Sequence, residues 1–321
     1  MSARGKFAFF AWFALAFNIG VILWGAYVRA TGSGAGCGDH WPLCNGVVVP
    51  QAPQLATIIE FTHRVTSGLA LIFVVGLLGF AIRTFPRRHP VRLFATLSFL
   101  FTMSEALIGA GLVLLGHVAT NQSVYRGYSL TLHLTNTLLL LAVLLLTAWF
   151  ATNDVPRRGF PQPVKLRLSL GVVAMLLIGM SGVIAALGDT LFAASSLAEG
   201  MRQDLSPSAH IFVRLRIWHP VLAALLGCYF VFLGIAAQLS PRTTAIARRL
   251  GIAAIALTLV QWSLGVVNLI LMAPVWMQLV HLLFADLLWL CLVLFSAELI
   301  APIEQRAVSA PQTSGPVSTV A

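Results

Sequence analysis

Apolar residues gather along this chain into eight stretches of about twenty. They run from Phe7 to Val28, His63 to Ile82, Leu93 to Leu115, Leu130 to Phe150, Leu168 to Leu187, Ile217 to Ala237, Leu250 to Met272 and Leu279 to Ile300. About twenty apolar residues in a helix reach across the hydrocarbon core of a bilayer. Polar and helix-breaking segments separate them, among them Arg83 to Pro90, Asn153 to Pro163 and Ser240 to Arg242. The pattern predicts an all-α integral membrane protein of eight transmembrane helices. Arg4 and Lys6 before the first run are also how a signal peptide begins. The run is too long for one and no small-residue cleavage site follows, so a retained helix is expected. The stretch 302–321, rich in Ser, Pro, Thr and Ala, is expected to be a disordered tail.

The stretches repeat. Gly25 and Gly182 stand 157 residues apart in weakly similar segments, Glu105, Gly109 and Leu115 precede Gln261, Gly265 and Leu271 by 156, and His63 precedes His219 by 156. His133 precedes His281 by 148, a shift that a shorter last connection explains. Four spans per repeat give both halves the same topology, related by an axis along the membrane normal. Two parallel-repeat four-helix bundles are predicted, residues 1–152 and 153–301, with one histidine pair in each.

Composition agrees: 59% of the 321 residues are hydrophobic, 9% are charged, and mean hydropathy is +0.90. A soluble domain carries roughly 25% charged residues. The net charge of +10 would suit nucleic acid if the cations clustered on one face. They divide by loop instead. Arg4, Lys6, Arg83, Arg87, Arg88, Arg92, Arg157, Arg158, Lys165, Arg167, Arg242, Arg248, Arg249 and Arg306 fall on one side, and Arg29, Arg64, Arg126, Arg202, Arg214 and Arg216 on the other. The excess is therefore read as orientation in a lipid bilayer, with both termini cytoplasmic and no nucleic-acid partner.

Of the eight histidines, His40, His89, His117 and His210 lie in or beside loops and read as solvated. His63, His133, His219 and His281 fall within the first turn or so of the even-numbered spans, at one depth near the outer surface. Ionisable residues inside a span mark function by default, although a histidine can also be polar glue between helices. Two imidazoles across a four-helix bundle suit an iron whose equatorial positions a porphyrin fills. A zinc site would ordinarily draw three or four protein ligands. Arg126, Arg214 and Arg216 are candidates for the porphyrin propionates, against ordinary interfacial snorkelling.

The halves differ in one respect. Glu60 lies three residues before His63, on the same helical face, whereas the equivalent position in the second half is Arg216. A carboxylate there can act as a base or stabilise developing positive charge, or simply orient His63 or pair with Arg64. Cys37 and Cys44, in the long loop before Glu60, could form a disulfide in an oxidising exterior, with either a structural or a redox role. Cys228 and Cys291 read as packing residues. Glu105, Gln261 and Asp286 read as interhelical hydrogen-bonding groups or proton-relay groups, with no catalytic role assigned.

The stretch GAYVRATGSGAGCGDHWPLCNGVVVP followed by IEFTHRVTSG resembles the first outer loop and second helix of the haem A synthases. With the four histidines, the resemblance covers all but the tail. It implies a plasma-membrane oxidoreductase that converts a methyl group of its substrate haem O to formyl, giving haem A, through two hydroxylations and loss of water. It implies that His63 and His133 ligate haem O beside a catalytic Glu60, that His219 and His281 ligate a haem b cofactor, and that Cys37 and Cys44 are the family's loop pair. A haem O synthase, the terminal oxidase assembly machinery and an electron acceptor would be partners. Some members carry a second cysteine pair in the third outer loop, but Gly188 to Arg214 contains none. From the residues alone a dihaem electron-transfer cytochrome and a parallel-repeat transporter remain open; the first leaves Glu60 unused, and the second wants broken helices and midplane polar groups.

Overall fold

The structure is a computed structural model, and it describes residues 2–153, 162–241 and 243–300. Among these residues the chain forms ten α-helices: α1 (Ala3–Ala30), α2 (Leu55–Thr84), α3 (Pro90–Leu114), α4 (Val124–Thr152), α5 (Gln162–Leu191), α6 (Leu197–Leu205), α7 (Ile211–Arg216), α8 (Trp218–Leu239), α9 (Ala245–Ile270) and α10 (Val275–Ile300). With α7 and α8 taken as one span, Ile211–Leu239, eight helices are long and apolar enough to cross a membrane. The expected tail and the cations Arg157, Arg158, Arg242 and Arg306 lie outside the described residues.

Small polar residues start the helices where apolar sequence alone would let them fray. Ser2, Ser123 and Thr244 accept hydrogen bonds from the backbone N–H groups of Gly5, Arg126 and Ala247, so α1, α4 and α9 begin on capped turns. His89 and His210, expected to be merely solvated, do the same for α3 and α7, accepting from Val91 N–H at 3.2 Å and Phe212 N–H at 3.3 Å.

In the first half α1 packs on α2 and α4, and α3 on α2 and α4; in the second α8 packs on α5 and α9, and α10 on α5 and α9. Contacts of α4 with α5, and of α10 with α1 and α4, join the two sets. There Trp289 Nε1 donates to the Leu138 carbonyl at 2.7 Å, and Leu138, Leu141, Leu144, Leu288 and Leu292 pack in one buried cluster. Residues such as Phe9, Leu107 and Leu225 are exposed on the outside, as lipid-facing surface requires. Within spans, glycine lets backbones close up: a Cβ on Gly234 of α8 would stand 2.6 Å from the Gly251 carbonyl of α9.

Arg29, at the end of α1, donates to Ala186 O at 3.2 Å and Thr190 Oγ1 at 3.0 Å on α5, and to Gln278 Oε1 at 2.6 Å on α10. The C-terminal ends of α1 and α5 and the start of α10 therefore share one end of the bundle. The loop before α2 lies at the same end, since Trp24 Nε1 near the end of α1 donates to Ile59 O and Thr62 Oγ1 near the start of α2.

Two expectations are corrected. The segment between the fifth and sixth spans carries α6, and the sixth span begins with the short α7, neither of which the hydropathy pattern predicts. Three of the four span histidines are not in the first turn: His63, His133 and His281 come eight, nine and six residues after the first residue of their spans, and His219, although the second residue of α8, comes eight residues after the start of the span Ile211–Leu239. At 1.5 Å per residue that is about 9–14 Å down the helix. The helices extend past the apolar runs through polar turns, such as the one bearing Glu60, that a hydropathy window leaves out.

Candidate functional site

Each span histidine faces a glycine on the neighbouring helix. A Cβ on Gly25 of α1 would meet His63 Cε1 at 2.8 Å, and one on Gly182 of α5 would meet His219 Cε1 at 3.1 Å. The corresponding approaches are 3.4 Å for Gly265 of α9 to His281 and 3.9 Å for Gly109 of α3 to His133. Four glycines at repeat-related positions thus leave room for four imidazoles, so the odd-numbered spans shape the seats of rings that the even-numbered spans carry.

In the second half the rings of His219 and His281 lie 6.3 Å apart, centre to centre, with their planes at 87°. Two nitrogen–metal bonds of about 2 Å, with roughly 1 Å from each ring centre to its nitrogen, span about 6 Å. Ser181 Oγ lies 3.0 Å from His219 Nδ1, which leaves Nε2 for a ligand. His281 Nδ1 is buried without a hydrogen-bond partner, and Gln261 Nε2 lies 3.2 Å from His281 Nε2 and 3.1 Å from its carbonyl. Buried imidazole nitrogens left unpaired are costly unless something binds them. The donor set and spacing fit a haem iron, and the apolar helices fit a porphyrin's faces.

The first half repeats the histidines and adds a carboxylate under a lid. Glu60, His63 and Arg64 share one face of α2. The Glu60 side chain is 4% exposed. Its Oε2 accepts from the Cys37 backbone N–H at 2.8 Å, and its Oε1 accepts from Arg64 Nε at 3.1 Å and Nη2 at 2.5 Å. Arg64 Nη1 also donates to the carbonyls of His40 at 2.6 Å and Leu43 at 2.7 Å, inside the loop that the Cys37–Cys44 disulfide closes. Gly36 makes this docking possible, because a Cβ there would come within 2.4 Å of the Ala56 backbone. Its carbonyl instead accepts from Thr57 Oγ1 at 2.7 Å. Glu60, Arg64 and the disulfide loop are one unit.

His63 Nδ1 and His133 Nδ1 are buried without hydrogen-bond partners. Glu105 of α3 approaches His133 Nδ1 to 3.4 Å, close but outside hydrogen-bond alignment. Asp286, five residues after His281, is wholly buried with neither oxygen hydrogen-bonded. Sequence reasoning did not bring Glu105 and Gln261 to the histidines, although their shared offset of 156 was the available signal.

The three candidate arginines part company. Arg126 is 2% exposed, donates through Nη1 to the Asn121 carbonyl at 2.8 Å, and leaves Nε buried without a partner. Arg216 is committed to two carboxylates, Asp189 at 2.9 Å and Asp204 at 2.7 Å. Arg214 is exposed at the end of α7. Cys228 is exposed and Cys291 buried, both as free thiols.

Residues 8–293 match a family described as cytochrome oxidase assembly protein, COX15-CtaA. A protein of Thermus thermophilus named protoheme IX farnesyltransferase is 49% identical over 293 residues, which are 91% of this chain and 48% of that one. Proteins named heme A synthase are 38% identical over 109 residues in an Exiguobacterium species and 43% identical over 110 residues in Bacillus mycoides. Those matches cover 34% of this chain and 36% and 35% of the relatives. The chain thus spans about half the length of the Thermus relative.

Proposed function

The chain belongs to the COX15-CtaA family of cytochrome oxidase assembly proteins, and from that premise we propose that it is a haem A synthase, oxidising a methyl group of haem O to the formyl group of haem A. The observation that carries the proposal is Glu60. It is a buried carboxylate three residues before a ring-seated histidine and roofed by a disulfide loop, and its counterpart at the repeat-equivalent position, Arg216, is an arginine tied to two aspartates. One half is equipped for chemistry and the other for holding.

In this reading residues 1–152 and 153–301 form two parallel-repeat four-helix bundles. His63 and His133 hold the substrate haem O in the first, and His219 and His281 hold a haem b cofactor in the second. Bound there, haem b would supply one-electron redox capacity: with water as the oxygen source, conversion of the methyl group to formyl releases four protons and four electrons, and haem b would give those electrons a way out to an acceptor. The chain's own residues do the rest. The imidazoles, seated against Gly25 and Gly109, hold the substrate, and Glu60 presents a carboxylate where positive charge or a proton develops. Arg64 and the Cys37 N–H hold Glu60 in place, and the closed loop keeps bulk water from it. Arg126, buried with donors to spare, is the best placed of the three arginines to meet a propionate.

The cation distribution supports a plasma-membrane protein with both termini cytoplasmic. A haem O synthase that delivers substrate and the terminal oxidase assembly that takes product are the partners this reading calls for. The farnesyl-transfer name belongs to a protein of which this chain spans about half.

The test is to incubate the purified chain with haem O and an electron acceptor and to identify the extracted haems by mass. Hydroxymethyl and formyl products are expected. Two bound haems with haem O recovered unchanged would favour a dihaem electron-transfer cytochrome, which explains the histidines but gives Glu60 nothing to do.

A further inference from the structure

Positions 105 and 261 are repeat equivalents, and each reaches from an odd-numbered span to the last histidine of its half. They differ in charge. Glu105 Oε1 stands 3.4 Å from His133 Nδ1, whereas Gln261 brings a neutral amide within 3.2 Å of the other ring nitrogen of its histidine, His281 Nε2. The carboxylate is held by two donors from the turn after His133: Asn136 Nδ2 at 2.5 Å and the Thr137 hydroxyl. Asn136 is in turn fixed by the Ser104 hydroxyl, which donates to its Oδ1 at 2.6 Å, and by its own bond to the Phe101 carbonyl at 2.9 Å. With donors converging on both oxygens, the carboxylate is held as an acceptor beside the ring nitrogen, 3.4 Å away and outside hydrogen-bond alignment. At the offset of 148 that relates His133 to His281, the residues matching Asn136 and Thr137 are Phe284 and Ala285. The whole carboxylate cradle is built into one half only.

A carboxylate on the far nitrogen of a ligating histidine fixes the ring and makes it a stronger electron donor to its metal. In the second half no carboxylate stands by the corresponding nitrogen: Gln261 meets His281 Nε2, and His281 Nδ1 has no hydrogen-bond partner. We propose that Glu105 is a positioning residue that acts through His133 to hold the haem of the first half at a lower reduction potential than Gln261 permits in the second. Electrons released in the first half then run downhill to the second. This rests on the haem reading above and adds the direction of electron flow to it.

The experiment is a spectroelectrochemical titration of the full chain loaded with both haems, comparing wild type with Glu105→Gln and Gln261→Glu. The expected result is an upward shift of one haem's midpoint in the first variant and a downward shift of the other haem's midpoint in the second, with haem content retained. Should Glu105→Gln fail to fold, Thr137→Val keeps the charge while loosening its cradle, and the Gln261→Glu shift stands as an independent readout. Two bound haems with unmoved midpoints in the variants would overturn the proposal and leave Glu105 an interhelical tie. Wild-type protein that takes up no haem at all would overturn the haem reading itself, and this proposal with it.

Discussion

The glycine seats offer a graded test, because the four histidines sit at four distances from the Cβ that alanine would add. For Gly25→Ala that distance to His63 is 2.8 Å, and for Gly182→Ala to His219 it is 3.1 Å. The first demands displacement of the ring and the second a shift of a few tenths of an ångström. For Gly265→Ala the 3.4 Å approach to His281 is a bare contact, and for Gly109→Ala the 3.9 Å approach to His133 is ordinary van der Waals packing. Overpacking a tight site costs about 1–3 kcal/mol, which on haem affinity is roughly 5- to 150-fold. Against this, alanine gains up to about 1 kcal/mol over glycine in a helix interior. Gly25→Ala should therefore lose haem from the first site, Gly182→Ala should weaken the second by less, and Gly265→Ala should change little. Gly109→Ala should bind normally and melt no lower than wild type. Haem-to-protein ratios across a haem titration, with thermal melts in detergent, measure both. If Gly109→Ala lost haem while Gly25→Ala kept it, the seating argument would be wrong.

Other outcomes follow from the unit around Glu60. Glu60→Gln should keep haem binding and slow turnover, whereas Arg64→Ala strips a buried carboxylate of its cation and should cost about 3–5 kcal/mol; Arg64→Ala melting like wild type would count against the pairing. Replacing Cys37 and Cys44 by serine removes a small-ring crosslink worth about 2–3 kcal/mol, so hydrogen exchange over residues 36–45 should quicken; unchanged protection would show that the hydrogen bonds with Thr57, Glu60 and Arg64 hold the loop without it. His89 packs beside Phe85, and desolvation, with Arg4 nearby, lowers its imidazole below the usual histidine range. Because the folded state takes up its proton less readily than the unfolded state, this contribution is complete above the ordinary histidine pKa and is lost as pH falls toward the lowered one. The pH dependence of the melting temperature should flatten in His89→Ala, and an unchanged profile would remove His89 from the account.

How much of this was legible in the sequence follows from what each signal measures. Hydropathy located the eight spans because the bilayer imposes one length and one polarity on each. It misplaced their starts, because the turn of α2 bearing Glu60 and Arg64 is helical yet polar, its charges spent on each other and on the loop. The repeat offsets picked out Gly25, Gly109, Gly182 and Gly265 without saying why glycine was needed there, and only the packing of rings against them gives the reason. Arg29 went unnoticed as a link between halves, since its partners Ala186, Thr190 and Gln278 lie more than 150 residues away. Glu105 was visible as an acid within an apolar span, but its approach to His133 depends on how α3 and α4 pack, which no local pattern encodes.

The central claim is that the first half oxidises a haem that the second half helps to discharge. Mass analysis of the haems extracted after the purified full chain turns over haem O with an electron acceptor tests it most directly. The account predicts hydroxymethyl and formyl products from wild type and a sharp fall in both from Glu60→Gln at undiminished haem content. Haem O recovered intact from wild-type protein with both sites filled would contradict it.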